Sequence, residues 1–124
     1  MPSPEEMSPE QMSPEQMSPE EMYDEAIELK EAHKLEAAVE KLESLLAEHP
    51  DYALAHNALG VFYGKLDRHE EAVAHAREVC ELEPDDPFSY NALSMICQKA
   101  DKREEAEQAM QTAMEKQWAA AKDT

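Results

Sequence analysis

The chain has 124 residues, of which 29 are acidic and 11 basic, for a formal charge of −18. That length bounds it to one modest domain. That charge repels phosphate backbones and anionic lipid surfaces, so nucleic acid and membranes are not expected as partners, and a basic or apolar protein surface is.

Residues 1–21 carry six acidic groups and no basic one. They repeat a Met-Ser-Pro-Glu unit, seen in Ser8-Pro9-Glu10-Gln11-Met12, Ser13-Pro14-Glu15-Gln16-Met17 and Ser18-Pro19-Glu20-Glu21-Met22. Each unit reads as a helix start: serine caps, proline suits the first helical position, and Glu or Gln three residues after the serine completes a capping box. Each start is cancelled by the next proline, which removes a donor and pushes its predecessor out of the helical region. Only Ser18-Pro19 precedes a long proline-free stretch. The expectation is a low-complexity, disordered acidic tail over 1–17, then a helix capped by Ser18.

From Pro19 onward, apolar residues recur at helical spacing and no strand signal appears. The pattern predicts helices over 19–32, 36–48, 53–65, 69–82, 87–99 and 103–121. Short polar joints, His33-Lys34, Asp67-Arg68 and Asp101-Lys102, make each successive pair antiparallel. On the middle pair, His56, Leu59, Gly60 and Tyr63 share one face and Ala72, Ala76, Val79 and Cys80 another, with Gly60 expected to face Ala72. The third pair repeats this with Tyr90, Leu93, Ser94 and Cys97 against Ala106, Met110, Ala113 and Met114.

These helices obey a register of 34 residues, which carries Ala38 to Ala72 and Ala106, Pro50 to Pro84, Leu59 to Leu93 and Asn57 to Asn91. A fixed period in this range marks a stacked array in which no unit buries its apolar face alone. The middle unit reads His56, Leu59-Gly60, Tyr63, Ala72, Ala76, Pro84. The pattern resembles the tetratricopeptide repeat family. It departs at Glu25, where leucine is usual, and at Trp118, where proline closes the unit. The resemblance implies an all-α fold, a right-handed superhelix of three antiparallel helix pairs, with repeats over 18–52, 53–86 and 87–121 and an extended last helix.

The resemblance also implies a concave groove, lined by the first helix of each repeat, that holds an extended peptide. The candidate groove residues are Tyr23, Ile27 and Lys30 in the first repeat, Leu54, Asn57, Val61 and Lys65 in the second, and Phe88, Asn91, Met95, Gln98 and Lys99 in the third. Asparagine amides donate and accept, so Asn57 and Asn91 suit a peptide backbone of any sequence. They equally suit a solvated surface. The three lysines also complement helix C-termini. Family members that grip a C-terminal carboxylate use Lys, Asn and Arg where this chain has Tyr23, Ile27, Ala58, Phe88 and Ala92, so that clamp is not expected. Met110, Met114 and Trp118 on the last helix form a candidate self-association face, leaving a monomer or a weak homodimer open.

Nothing in the sequence points to chemistry. Its five histidines are scattered without metal-ligand spacing, and no nucleophile or phosphate-loop motif appears. No catalytic residue, metal or cofactor is expected. Cys80 and Cys97 sit at apolar helix positions and read as buried thiols. The N-terminus lacks the basic and apolar stretches of a secretory signal, so a cytoplasmic location is expected. The expected function is a non-catalytic protein-interaction module. A small acidic secretion-type chaperone and a scaffold that self-associates through the last helix are the alternatives.

Overall fold

The computed structural model describes residues 16–122. Six helices follow one another: α1 (Pro19–Glu31), α2 (Leu35–Glu48), α3 (Ala53–Lys65), α4 (His69–Leu82), α5 (Pro87–Lys99) and α6 (Arg103–Lys122). There is no strand among the described residues. The contacts divide the chain into two compact units, residues 1–55 and 56–124.

In the first unit, α1 opens on the expected capping box. The Glu21 N–H donates to Ser18 Oγ at 3.1 Å, and the Ser18 N–H donates to Glu21 Oε1 at 3.2 Å. Most of the expected tail lies outside the described residues. Met17, assigned to the tail, is instead only 4% exposed. It precedes the cap, and Met22 occupies the fourth helical position and is also buried. Apolar residues at these two places form a hydrophobic staple, so the packed structure begins one residue earlier than the cap alone suggests. Behind them Ala26, Ala38, Val39, Leu42 and Leu45 complete the core of α1 on α2. Glu25 is half-buried and forms an ion pair with Lys41 at 3.0 Å, so the acid that stands in a leucine position is met by a base on the facing helix.

The second unit buries Val73, Ala76, Cys80, Leu93, Cys97, Ala106 and Ala109 in one cluster. On α6 the packed stripe is Ala106, Ala109 and Ala113, not the expected stripe through Met110 and Met114, which are exposed. The small side chains win because they let α6 approach α5 closely. At that approach the buried Ser94 hydroxyl donates to the Ala106 carbonyl at 2.9 Å. Burial pushes the Cys80 thiol from 9.0 up to about 11 and raises that of Cys97 as well. A thiol held neutral in the fold ionises earlier in the unfolded chain. Cys80 therefore contributes stability that is complete below pH 9.0 and is lost as pH climbs toward about 11. We expect iodoacetamide at pH 8 to label neither cysteine until denaturant unfolds the chain; fast native labelling of Cys80 would contradict its burial.

Within each pair the joint is a left-handed turn. His33, Asp67 and Asp101 have φ of 63°, 59° and 61°. The next N–H in each case, from Lys34, Arg68 and Lys102, donates back to Leu29, Tyr63 and Cys97 at 2.8 Å. This six-to-one bond is the Schellman closure of a helix, normally built on glycine. Histidine bears the left-handed conformation least well of the two residue types used here, because Asp tolerates it through local hydrogen bonding. We expect His33→Gly to stabilise the protein by about 1 kcal/mol, read as a higher urea midpoint, with a smaller gain at Asp67.

Candidate functional site: the α3–α5 pocket

Three helices of the second unit surround a pocket of about 350 Å³, lined by Gly60, Val61, Gly64, Lys65, His69, Ala92, Met95, Ile96 and Lys99. Its walls are apolar because the α3 residues that face α5 are the two glycines and Val61, while α5 presents Ala92, Met95 and Ile96. Gly60 and Gly64 lie one turn apart but differ in surroundings. A Cβ at Gly60 would lie 3.1 Å from Ile96 Cδ1 and 3.6 Å from the Ala72 carbonyl oxygen. A Cβ at Gly64 would meet nothing within 4 Å. Gly60 therefore sets helix contact, as its expected position against Ala72 requires, and Gly64 leaves the pocket open.

Four candidate residues meet at this pocket: Val61 and Lys65 from α3, Met95 and Lys99 from α5. Each pair is spaced i, i+4 and so shares a helix face. Asn57 and Asn91 continue these faces one turn toward the N-terminus and are exposed. Val61 and Met95 remain 49% and 61% exposed, which is costly for apolar groups unless something covers them. Gln98 and Phe88 are exposed on α5 outside the pocket, Phe88 at 73%. The remaining candidates lie in the first unit. There Tyr23 packs edge-on against Tyr52 with ring centroids 6.2 Å apart, Ile27 and Lys30 are half-buried, and Leu54 is exposed.

Where α3 meets α4 in the same unit, a polar and aromatic group joins the two helices. His56 and His75 share a hydrogen bond between their Nδ1 atoms at 3.0 Å, and His75 stacks on Tyr63 with centroids 5.6 Å apart. The Arg68 guanidinium covers that tyrosine at 4.7 Å from its centroid. Position 56 is thus a core position whose polar edge is satisfied by the facing helix.

The match to known proteins follows this geometry. A tetratricopeptide repeat model matches residues 23–87, over half of the chain. The chain belongs to the tetratricopeptide repeat family. Solved structures agree on the fold. A crystal structure of MamA superposes with a TM-score of 0.77 at 24% identity, covering 85% of this chain and 61% of that one. MamA 41-end from Desulfovibrio magneticus RS-1 gives 0.73 at 20% identity, with 80% and 56% covered. A chain of the CopN-Scc3 complex gives 0.74 at 18% identity, with 85% and 61% covered. This chain therefore spans about three-fifths of the length of the structures it resembles. No curated protein matches its sequence.

The repeat family brings a helical-repeat fold built as a protein-interaction scaffold, and this chain shares it. Among the described residues, no helix is long and apolar enough to cross a membrane. No group of three or more His, Cys, Asp or Glu among them is placed to hold a metal ion.

Proposed function

We propose that this protein is a non-catalytic interaction module that holds an extended segment of a partner protein along the outer faces of α3 and α5. The observation that carries this reading is the pair of matched stripes, Asn57-Val61-Lys65 and Asn91-Met95-Lys99, which flank an open apolar pocket. An apolar side chain of the segment fills the pocket, and the two amides hold its backbone. The MamA and CopN-Scc3 structures support the scaffold, and the second of these is itself a protein complex. The test is quantitative affinity capture with the full chain. Partners held by the wild type are lost with Gly64→Leu, which fills the pocket, and weakened with Asn57→Ala and Asn91→Ala together. Unchanged capture by Gly64→Leu would sink the pocket assignment.

A second reading rests on α6. Met110, Met114 and Trp118 recur at i, i+4 and i+8 and are all exposed, Trp118 at 67%. A stripe of this kind suits docking of a second chain. Under this reading Trp118→Glu turns an assembled species into a monomer in light scattering, and a wild-type monomer at high concentration ends it.

A further inference from the structure

The 34-residue register carries Ala76 and Cys80 of α4 onto Met110 and Met114 of α6. On α4 those two positions are buried in one cluster with Leu93 and Cys97 of α5, which packs on α4. On α6 the same positions are 46% and 65% exposed, and Trp118, one turn on, is 67% exposed. The bare stripe of α6 is therefore the face that the next helix covers one repeat earlier. A second copy of the chain has two helices with which to cover it. The first is α1, which opens its repeat as α5 does. Yet α1 carries Glu25 and Glu28 where α5 has Leu93 and Ile96, and these acids line an open groove with Glu21 and Asp24. Docked on α6, that groove would bury carboxylates against methionine, beside Glu107, which stands where α4 has the buried Val73. Burying like charges without partners opposes this contact. Head-to-tail stacking, the arrangement that grows without end, is thereby disfavoured. The second helix is α6 itself.

Resting on the self-association reading of α6 above, we propose that two copies of this chain pair through α6 alone, antiparallel and centred on Met114. Met114 then meets its own counterpart, and Met110 lies opposite Trp118 of the second copy on both sides of the centre. The stripe suits this because its spacing is symmetric about Met114, four residues each way. A thioether against an indole ring is a favourable contact. The same patch serves both copies, so the contact consumes the face and stops at two. Three side chains from each copy make a small interface, and small interfaces hold transient pairs rather than permanent ones. Each copy also brings a charge of −18, which opposes the pairing until salt screens it.

Sedimentation equilibrium of the full chain at several salt concentrations tests this, read beside the fluorescence of Trp118, the sole tryptophan. The expected result is a monomer–dimer equilibrium with no larger species, tightening as salt rises, and a blue shift of Trp118 emission that follows dimer formation. Thiol cross-linking with diamide reads the register of the pair, with the wild type as the control for Cys80 and Cys97. Met114→Cys is expected to link to itself, and Met110→Cys to link to Trp118→Cys when the two variants are mixed. Met110→Cys alone is not expected to link, because its two copies lie about 12 Å apart along the helices, beyond the roughly 7 Å that a disulfide spans. Self-linking of Met110→Cys as fast as that of Met114→Cys shows parallel helices and overturns the antiparallel pair, while α6 remains the contact. Assembly that grows past the dimer overturns the closed pair and likewise leaves α6 in place if Trp118→Glu abolishes it. A pair that loosens as salt rises is held by charge, and the apolar contact falls. A monomer at every concentration removes this inference and the α6 reading together, and leaves the face to a helix of another protein.

Discussion

Gly60→Leu is expected to destabilise the protein by about 3 kcal/mol, at the upper end of what overpacking a filled interior costs. Gly64→Leu, one turn along the same helix, is expected to be neutral or to gain up to about 1 kcal/mol through helix propensity alone. The contrast follows from what each side chain would meet. At Gly60 even a Cβ lies 3.1 Å from Ile96 and 3.6 Å from a backbone carbonyl. Ile96 can rotate toward the pocket, but the Ala72 carbonyl belongs to α4 and moves only if α4 moves. At Gly64 the added atoms enter open space. Urea denaturation followed by circular dichroism reads both. Equal loss at the two sites would show that helix flexibility, rather than contact, is what the glycines supply. The same pair of variants divides folding from binding, since the harmless one is expected to abolish pocket occupancy.

Leu42→Ala is the second large effect, with an expected cost of about 2–5 kcal/mol. Leu42 is fully buried in the α1–α2 core, beside a small set of apolar residues that includes Met22, Ala26 and Leu45. Ala26 among them is too small to reach into the space left behind, and cavity cost rises with residual volume. Against a typical total stability of about 5–15 kcal/mol, such a loss is a large fraction. The control is Leu54→Ala, at a side chain 52% exposed, where a change within about 0.5 kcal/mol is expected. A urea midpoint that moves equally for both leucines would contradict the burial pattern.

The helices were legible in the sequence because their ends are chemical. Ser18-Pro19 and Asp86-Pro87 are cap-plus-proline starts, and the structure shows both caps bonded. The repeat register identified the family and placed Gly60 against Ala72. What was hidden is rotation about a helix axis. On α6 two stripes, one through Ala109 and one through Met110 and Met114, both satisfy helical spacing, and hydrophobicity favours the methionines. Closeness of approach decides for the alanines, and that is a property of two helices together. The pocket was half legible for a similar reason. Val61, Lys65, Met95 and Lys99 lie on stripes visible in the register. His69, Ala92 and Ile96 enter only through packing. The absent side chain of Gly64 was the one available signal, and its meaning depends on what faces it.

Met17, Ser18, Pro19, Glu21 and Met22 together form a complete helix start, and the five-residue unit preceding them, Met12-Ser13-Pro14-Glu15-Gln16, has the same composition apart from glutamine for glutamate. Loss of residues 18–22 would bring Met12, Ser13, Gln16 and Met17 to the places now held by Met17, Ser18, Glu21 and Met22. Glutamine serves as well as glutamate in the box. The start of the fold is therefore backed by spare copies, and loss of any one whole unit, as by slippage during replication of a short repeat, restores the junction it removes. We expect the chain lacking residues 18–22 to keep its denaturation midpoint, whereas removal of four residues, 18–21, breaks the phase and lowers it. Unit number is then free to vary among versions of this chain, while the spacing within a unit is held by the fold.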